Sequence, residues 1–495
     1  MTQLSTVDIA RLREALLAAA YHVEPVHALL GTQAHSALAR GERVPALRAT
    51  EGGSPLATLV RLFLIGADCG EPEVRRAFHP LPLETAAAAR LVGPATGGTV
   101  RAGLDLRPYG EGDTDWWVVS DIAADVRPGP LRRDHVLGVG GASVTLAQAT
   151  VRRPAGSALD LGVGCGVQSL HLSRHVRQVT GTDVNPRALR LAALTAGLNG
   201  HEWELLPGVP GDFFAPVAGR RFDLIVSNPP FVIGPGDSGY LYRDSGIPGD
   251  GASRRLLRDV PAYLADGGWC QLLANWVHTA GEPWQDRIAG WLDGTGCDAW
   301  VWQREVQDPG EYVSMWLRDG GEEGSPAYEA KYGRWLDWLA GHEVAAVGFG
   351  IVTLHNSGRT DPVVRIEEVR HRVEQPTGPH IATWFDRQDW LRDVPDLRTA
   401  RLRAAPAIQL EQRASIGEGG WAVDVQRLVL PDGLRFHTDV DTITVDLVAG
   451  CDGTNRLGDQ IAVLAHAYGY AVDELTAGAL PAVRYLVERG FLLPA

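Results

Sequence analysis

The chain has 495 residues, 45% of them hydrophobic and 21% charged, which suits roughly three globular domains with sizeable cores. A formal net charge of -14 argues against a protein that coats nucleic acid without specificity, because phosphate contacts need a basic surface. The five cysteines are scattered and form no CxxC pair, so we expect neither a disulfide framework nor a metal site. Short, interrupted apolar runs and the lack of a signal-peptide pattern predict a cytoplasmic protein without a membrane partner.

The first block, residues 1–128, combines helical patterns with two strand patterns near its end. Apolar residues at helical spacing predict three helices, at 54–70, 71–80 and 81–93. Residues 99–110 and 115–122 predict two strands that are joined by the Gly/Asp-rich turn EGDTD. Three helices followed by a hairpin are typical of a winged helix, so we expect a winged-helix-like N-terminal domain.

The middle block, residues 129–320, alternates strand and helix patterns, which is typical of a doubly wound, mostly parallel α/β sheet. The predicted strands lie at 157–162, 178–184, 203–209, 221–228, 268–277, 299–306 and 311–319. The predicted helices lie at 167–176, 186–200, 253–268 and 283–296. Because the last two strands are closely spaced, we expect an antiparallel hairpin to finish a sheet of seven strands.

Two further blocks follow. Residues 321–400 carry a helical pattern and then a strand pair at 345–356 and 363–371, so they either extend the sheet domain or form a linker. Residues 401–495 begin with short strand patterns, including 442–448, and end with two helical patterns. This order predicts a second winged-helix-like α+β domain at the C-terminal end.

A glycine-rich turn follows the first strand of the middle block, in the sequence LDLGVGCG at 159–166. Glycines allow positive φ and let the backbone approach a ligand that side chains would block. Taken alone, the turn fits either a nucleotide-type ligand or an ordinary tight connection between strand and helix. A nicotinamide-dependent dehydrogenase starts similarly, but its fingerprint needs a further glycine near Ser169, which is absent.

Acidic residues end the next two predicted strands. Asp183 follows the glycine turn by about 20 residues, where a carboxylate can accept hydrogen bonds from both hydroxyls of a ribose. Alternatively, Asp183 caps the helix that begins with Asn185-Pro186. Asp212 follows the third strand and can accept from an adenine amino group while Phe213 covers the ring, although an ordinary turn is an equal alternative.

The sequence Asn228-Pro229-Pro230-Phe231 ends the fourth predicted strand, at the edge where such sheets bind ligands. Two prolines fix φ twice and remove two backbone donors, which leaves carbonyl oxygens free to face a substrate. The Asn228 side-chain oxygen and the Pro229 carbonyl can then both accept from one NH2 group and aim its lone pair. Phe231 offers a face for stacking a planar base or amide. This motif indicates methyl transfer to a planar nitrogen; a bare turn is the alternative.

Together these four features resemble the class I S-adenosylmethionine (SAM)-dependent methyltransferases that carry NPPF or NPPY, which have a Rossmann-like sheet. Release-factor glutamine, adenine-N6 and ribosomal-RNA guanine-N2 methyltransferases belong to this amino-methylating group. The resemblance implies that the methionine part of SAM is lined by Asp160, Gly162, Gly164 and Gly166. It further implies that Asp183 holds the ribose, Asp212 and Phe213 the adenine, and residues 228–231 the target nitrogen.

The substrate is less sharply indicated. Guanine-N2 enzymes often have His after NPPF, where this chain has Val232, and glutamine enzymes more often have Tyr in place of Phe231. We expect a macromolecular substrate, with a nucleobase in RNA or DNA slightly preferred over a protein glutamine. A small-molecule amine is a third alternative, and a non-catalytic SAM-binding regulator is the least favoured one.

Two neighbouring segments are further candidates. The Gly-rich loop 234–252 directly follows the NPPF motif and contains Tyr240, Tyr242 and Arg243 as tentative substrate contacts. We interpret it either as a lid that orders on binding or as a solvated connection. Ser143 and Thr145, ahead of the glycine turn, are candidates for the SAM carboxylate, or belong simply to the start and surface of a helix.

Overall fold

The computed structural model describes residues 4–124, 126–127, 131–236, 239–417 and 419–495. The chain forms two compact units. The first comprises residues 1–147 and 153–369, and the second comprises residues 148–152 and 370–495. Within the described ranges, no helix combines the length and the apolar character that a membrane crossing requires.

The N-terminal part of the first unit is mainly helical. Its helices are α1 Thr6–Ala18, α2 Val23–Leu38, α3 Val44–Ala49, α4 Pro55–Leu59, α5 Glu71–Phe78 and α6 Leu83–Ala88. Its strands are β1 Cys69–Gly70, β2 Thr99–Val100, β3 Asp105–Glu111 and β4 Thr114–Ser120. Strand β1 pairs with β2, and β3 pairs with β4 as the hairpin expected from the sequence.

The β3–β4 hairpin packs onto the sheet domain within this unit. The Asn199 side-chain oxygen accepts from Trp117 N at 3.0 Å, and the Thr195 hydroxyl accepts from Val119 N at 3.1 Å. Both partners lie on or directly after the helix Pro186–Leu198. Backbone donors of the hairpin are thereby satisfied by a helix of the sheet domain, so the two parts share one packed interface.

The sheet domain alternates strands and helices along the chain. Its strands are β5 Ala155–Leu161, β6 Val176–Asp183, β7 Glu204–Pro207, β8 Phe222–Ser227, β9 Leu264–Thr279, β10 Asp298–Gln307, β11 Val344–His355 and β12 Val364–Glu368. Its helices are α7 Gly141–Ala149, α8 Val167–Leu172, α9 Pro186–Leu198, α10 Gly251–Asp259, α11 Trp284–Leu292, α12 Pro309–Asp319 and α13 Tyr328–Gly341.

Among the described residues, these strands form one sheet of eight strands in the order β12-β10-β11-β9-β8-β5-β6-β7. The five strands from β9 to β7 run parallel, whereas β11 is antiparallel to both of its neighbours. The mostly parallel Rossmann-like sheet is confirmed, with eight strands in place of the expected seven. The expected strand pair β11 and β12 joins this sheet, but the two strands lie on opposite sides of β10 rather than together.

The predicted strand at 311–319 is wrong, because this stretch is helix α12. Asp308 caps the helix, since its Oδ1 accepts from Gly310 N at 2.7 Å and from Glu311 N at 3.0 Å. Pro309 stands in the first turn, and Tyr312, Val313 and Leu317 are buried at helical spacing. The antiparallel partner of β10 is therefore β11, not residues 311–319.

Over its described residues, the second unit combines helices with two small sheets. Its elements are α14 Gly378–Asp393, β13 Arg401–Ala404, β14 Gln409–Gly417, β15 Gly420–Val429, β16 His437–Val440, α15 Thr442–Gly450, β17 Asp452–Arg456, α16 Leu457–Tyr468, α17 Val472–Arg489 and β18 Leu492–Pro494. The sheet orders are β17-β13-β18 and β14-β15-β16. The predicted strand at 442–448 is wrong: Asp441 accepts from Thr444 N at 2.7 Å and starts helix α15 there.

Candidate active site

The glycine turn leaves strand β5 and leads into helix α8. Gly162, Gly164 and Gly166 all have positive φ, at 82°, 54° and 89°. A Cβ atom on Gly166 would lie 2.6 Å from the Trp203 ring, so only glycine fits there. The turn therefore exposes backbone, not side chains, at the carboxyl end of the parallel strands.

Asp160 is the buried carboxylate of this turn, with 1% of its surface exposed. One oxygen, Oδ2, accepts from the Ser169 hydroxyl at 2.7 Å, while Oδ1 has no hydrogen-bond partner among the described residues. Burial raises the pKa of Asp160 to about 7, since the charged form loses its hydration. An unsatisfied carboxylate oxygen under a glycine turn suits a ligand that brings a cationic or N–H group.

Asp183 ends strand β6 and reaches back to the glycine turn. Its Oδ2 accepts from Gly164 N at 3.0 Å, and its Oδ1 accepts from Asn185 N at 2.8 Å. The helix cap of α9 is Asn185, whose side chain accepts from Arg187 N, so Asp183 does not fill that role. Burial raises the pKa of Asp183. Each oxygen keeps a lone pair, so the carboxylate remains able to accept from hydroxyl groups.

Asp212 and Phe213 lie after strand β7, in a tight turn. Asp212 is exposed, and its Oδ1 accepts from Phe214 N at 3.3 Å and Ala215 N at 3.1 Å. These bonds hold the turn directly before the short 3₁₀ helix Ala215–Val217. Phe213 is half-buried against the apolar core beneath the sheet. The described bonds of this carboxylate are local, and its predicted adenine contact stays a prediction.

The Asn228–Phe231 motif begins directly beyond strand β8. Ser227 pairs in register with Leu161, and the Ser227 hydroxyl donates to the Leu161 carbonyl at 2.8 Å. The segments that follow β5 and β8 therefore leave the sheet side by side. The Asn228 carbonyl oxygen lies 3.9 Å from the position that a Cβ atom on Gly162 would occupy. Asn228 and Phe231 are half-buried. The motif therefore lies beside the glycine turn.

The tentative substrate residues in loop 234–252 make contacts within the protein. Tyr240, 7% exposed, donates to the Gly320 carbonyl at 3.1 Å, and Tyr242 donates to Asp319 Oδ2 at 2.5 Å. The Arg243 guanidinium donates to the Trp316 carbonyl and lies 4.6 Å from the Tyr240 ring. These polar groups hold the loop against the end of α12. Residues 237–238 of the loop lie outside the described residues.

Ser143 and Thr145 lie in the first turns of α7. The Ser143 carbonyl accepts from the Gln168 amide at 2.8 Å, which joins this turn to α8 directly after the glycine turn. The Thr145 side chain is exposed. The structure thus brings Ser143 close to the glycine turn through its backbone.

Several residues that the sequence analysis did not single out complete the site. Tyr312 and Trp316 both lie on α12: Tyr312 contacts Ile233, directly after the NPPF motif, and Trp316 contacts Phe231 within the motif. Residues 133–134 also take part: the Arg133 carbonyl accepts from Leu241 N at 3.0 Å, and the Asp134 carbonyl accepts from the Asn185 amide at 3.0 Å. An Asp-Pro helix start at 308–309 was the signal available for α12. No comparable signal marks 133–134.

Parts of this chain match known protein families. Residues 138–277 match the family described as Methyltransferase small domain. Residues 18–103 and 382–494 match two families described as domains of unknown function, DUF7059 and DUF7782. The middle of the chain therefore matches a methyltransferase family, and the resemblance drawn from its four motifs is confirmed.

Curated relatives match part of this chain. A ribosomal RNA small subunit methyltransferase C from Alcanivorax borkumensis is 36% identical over 120 residues, which cover 24% of this chain and 32% of the relative. A release factor glutamine methyltransferase from Geobacter sulfurreducens is 32% identical over 180 residues, which cover 34% of this chain and 59% of the relative. This chain therefore spans less than two thirds of either relative.

A solved structure, the T. Thermophilus 16S rRNA N2 G1207 methyltransferase, is 17% identical with a TM-score of 0.26. The alignment covers 51% of this chain and 66% of that chain. This score is too low for the two structures to be compared residue by residue.

Proposed function

We propose that this protein is a SAM-dependent N-methyltransferase that acts on a planar amino or amide nitrogen of a macromolecule. The observation that carries the proposal is the position of Asn228–Phe231 beside the glycine turn, at the carboxyl ends of β5 and β8. A methyl donor in the turn and an NH2 group on the motif would then be neighbours. The match of residues 138–277 to a methyltransferase family supports this assignment.

The residues present fit SAM. Gly162, Gly164 and Gly166 form a cradle of bare backbone, and Asp160 offers an unpartnered carboxylate oxygen toward the methionine part. Asp183 would hold the ribose hydroxyls through the free lone pairs of its carboxylate, while Asp212 and Phe213 would contact the adenine. When bound, SAM supplies an electrophilic methyl group.

The chain's own contribution is to orient the acceptor nitrogen. The Asn228 side-chain oxygen and the Pro229 carbonyl would accept from the two hydrogens of one NH2 group, which localises the lone pair that a planar amine otherwise delocalises. Phe231 would stack on the plane of the acceptor. No general base is required in advance, because the nitrogen becomes positive on methylation and its proton then leaves to solvent.

A nucleobase amine is our first choice of acceptor, and a protein glutamine is the second. The aromatic side chain of the partly exposed Phe231 and the similarity to a ribosomal RNA methyltransferase support the nucleobase. The net charge of -14 and the longer match to a release factor glutamine methyltransferase favour the glutamine. Small-molecule amines and a non-catalytic regulator rank below both.

The flanking parts suit the docking of a large substrate. We keep the division into residues 1–128, 129–320, 321–400 and 401–495 as a proposal, with winged-helix-like modules at both ends. For loop 234–252, a lid between acceptor and solvent and a plain connection remain equal proposals. The five cysteines are all free thiols, which suits a reducing cytoplasmic setting.

The decisive experiment uses SAM labelled in its methyl group. The full chain is incubated with this SAM and a bacterial lysate, and the RNA, DNA and protein fractions are separated and counted. Label in RNA that digests to an N-methylated nucleoside supports the first choice, and label in protein that yields N-methylglutamine supports the second. If no fraction is labelled although SAM binds, the proposed methyl transfer to a macromolecule is wrong.

A further inference from the structure

Helix α12 lies beyond residues 138–277, the part that matches the methyltransferase family, yet it contacts the motif of the acceptor site. We infer that α12 is a positioning element: Tyr312 sets the place of the NPPF turn through the backbone of Ile233, and Trp316 fixes the ring of Phe231. This inference rests on the proposed function, because it assigns roles in orienting the acceptor nitrogen.

The Tyr312 contact is short and fully buried. Its hydroxyl accepts from Ile233 N at 2.7 Å, and the Asn275 amide donates to the same hydroxyl at 3.3 Å. Tyr312 is 0% exposed, so water does not compete for these bonds. Burial also raises the pKa of Tyr312, which keeps the hydroxyl neutral. One oxygen atom therefore joins the segment after the motif, strand β9 and helix α12.

The motif needs this external support because it carries few donors of its own. Pro229 and Pro230 have no N–H group, so neither residue can donate a backbone hydrogen bond to the sheet. Just beyond the motif, Val232 N donates to the Arg243 carbonyl at 3.2 Å and Ile233 N donates to Tyr312. Tyr312 is a fixed point within the core, whereas Arg243 belongs to the adjoining loop. The position of the two acceptor oxygens therefore depends on Tyr312.

Trp316 acts one helical turn further along α12. Its ring centroid lies 6.4 Å from that of Phe231 at an interplanar angle of 70°, an edge-on contact that limits how Phe231 can turn. The Trp316 carbonyl also accepts from the Arg243 guanidinium. Tyr312 and Trp316 are themselves edge-on at 6.2 Å. Helix α12 therefore limits the orientation of the Phe231 ring and, through Trp316, also holds Arg243 of the neighbouring loop.

The test compares two tyrosine variants of the full chain. Tyr312→Phe removes only the hydroxyl at the motif. Tyr332→Phe is the matched control, because the Tyr332 hydroxyl donates to the Gly310 carbonyl at 3.0 Å and so ties α13 to α12 without touching the motif. Initial rates are measured at saturating labelled SAM on the RNA or protein fraction that the wild-type chain methylates. SAM affinity is measured by calorimetry.

We expect Tyr312→Phe to lower kcat on the order of tenfold to a hundredfold, since small misplacements of reacting groups have such effects. The Kd for SAM should stay within about twofold, and amide hydrogen exchange around Ile233 should accelerate. Tyr332→Phe should change neither kcat nor this exchange. A loss of melting temperature alone would be shared by both variants, so the split between kcat and SAM affinity separates positioning from general packing.

Wild-type kcat in Tyr312→Phe, or an equal fall in both variants, overturns the inference while leaving the proposed function intact. A wild-type chain that methylates neither fraction overturns the proposed function and this inference together. Should Tyr312→Phe fail to fold, Asn275→Ala tests the same hydroxyl from its other partner. A smaller kcat loss with unchanged SAM affinity then supports the inference, and unchanged kcat overturns it.

Discussion

The glycine turn and the NPPF turn differ in how far away along the chain the residues that hold them lie. The glycine turn is held by Asp183, only 19 residues away, whose carboxylate accepts from Gly164 N. The NPPF turn is followed by Ile233, which is held by Tyr312 at a separation of 79 residues. The proposed cofactor side is thus local and belongs to the parallel core, whereas the proposed acceptor side depends on a distant helix. This difference suggests that donor binding and acceptor choice can vary independently.

The largest effect should come from a substitution that damages only the proposed acceptor side. Asn228→Ala removes one of the two proposed acceptor oxygens and should lower methyl transfer by about 10²–10³-fold, as loss of one oriented polar group does elsewhere. The Kd for SAM should hardly change. Rates with labelled SAM and calorimetry measure the two effects. Asn455→Ala, at an exposed position in the second unit, is the control. Normal turnover by Asn228→Ala would contradict our assignment of the acceptor site.

The converse change damages the donor side. Asp183→Ala removes the carboxylate that holds Gly164 N and Asn185 N and would bind the ribose. SAM binding should weaken by about 1–3 kcal/mol, the range for hydrogen bonds to a charged group. At saturating SAM, kcat should stay near the wild-type value. Titration calorimetry gives the Kd, with Asp266→Ala at an exposed carboxylate as the control. An unchanged Kd would count against the ribose role.

The pH dependence of thermal stability tests the buried carboxylate of the donor side, Asp160. Burial raises the pKa of Asp160 to about 7, above its value of about 3.9 in an unfolded chain. Its contribution to stability is therefore complete below about pH 4 and is lost as the pH rises through about 7. Without SAM, the melting temperature of the wild type should fall relative to Asp160→Asn over this window. If the difference in melting temperature between wild type and Asp160→Asn is the same at every pH, the pKa of Asp160 is not raised in this way.

The smallest effect should come from the loop beside the acceptor. Tyr242→Phe removes the hydroxyl that donates to Asp319 at 2.5 Å, at a cost of about 1 kcal/mol in local stability. Hydrogen exchange over residues 240–244 should accelerate. Tyr468→Phe is a matched control, since Tyr468 donates to Asp446 at 2.5 Å in the second unit. Equal exchange in wild type and Tyr242→Phe would mean that other contacts hold the loop.

Local sequence patterns predicted most of the sheet domain. Apolar strands such as Ala155–Leu161 and Phe222–Ser227 were predicted to within a few residues, because buried parallel strands read as short apolar runs. Two strand predictions failed, at 311–319 and 442–448. In both, β-branched or aromatic residues suggested a strand, whereas an Asp cap just before them starts a helix. Capping, not composition, decided these two segments.

The candidate site residues also differ in whether they could be predicted from the sequence. The glycines and Asp183 belong to motifs whose spacing is set by one strand–turn–helix–strand unit, so a single stretch of sequence reveals them. Tyr240, Tyr242 and Arg243 were singled out by their chemistry, but the structure uses their polar groups to anchor a loop. Tyr312 and Trp316 were missed because their relevance depends on a contact across the fold that sequence spacing does not encode.

The parallel α/β core, its glycine turn and the NPPF motif could be predicted from the residues alone, because each follows from local backbone geometry and from the period of buried residues. The insertion of β11 between β9 and β10, and the residues that support the proposed acceptor site, became visible only in the folded protein. Those features depend on long-range packing, in which a strand or helix takes its place by burying its apolar face against residues far away in the chain.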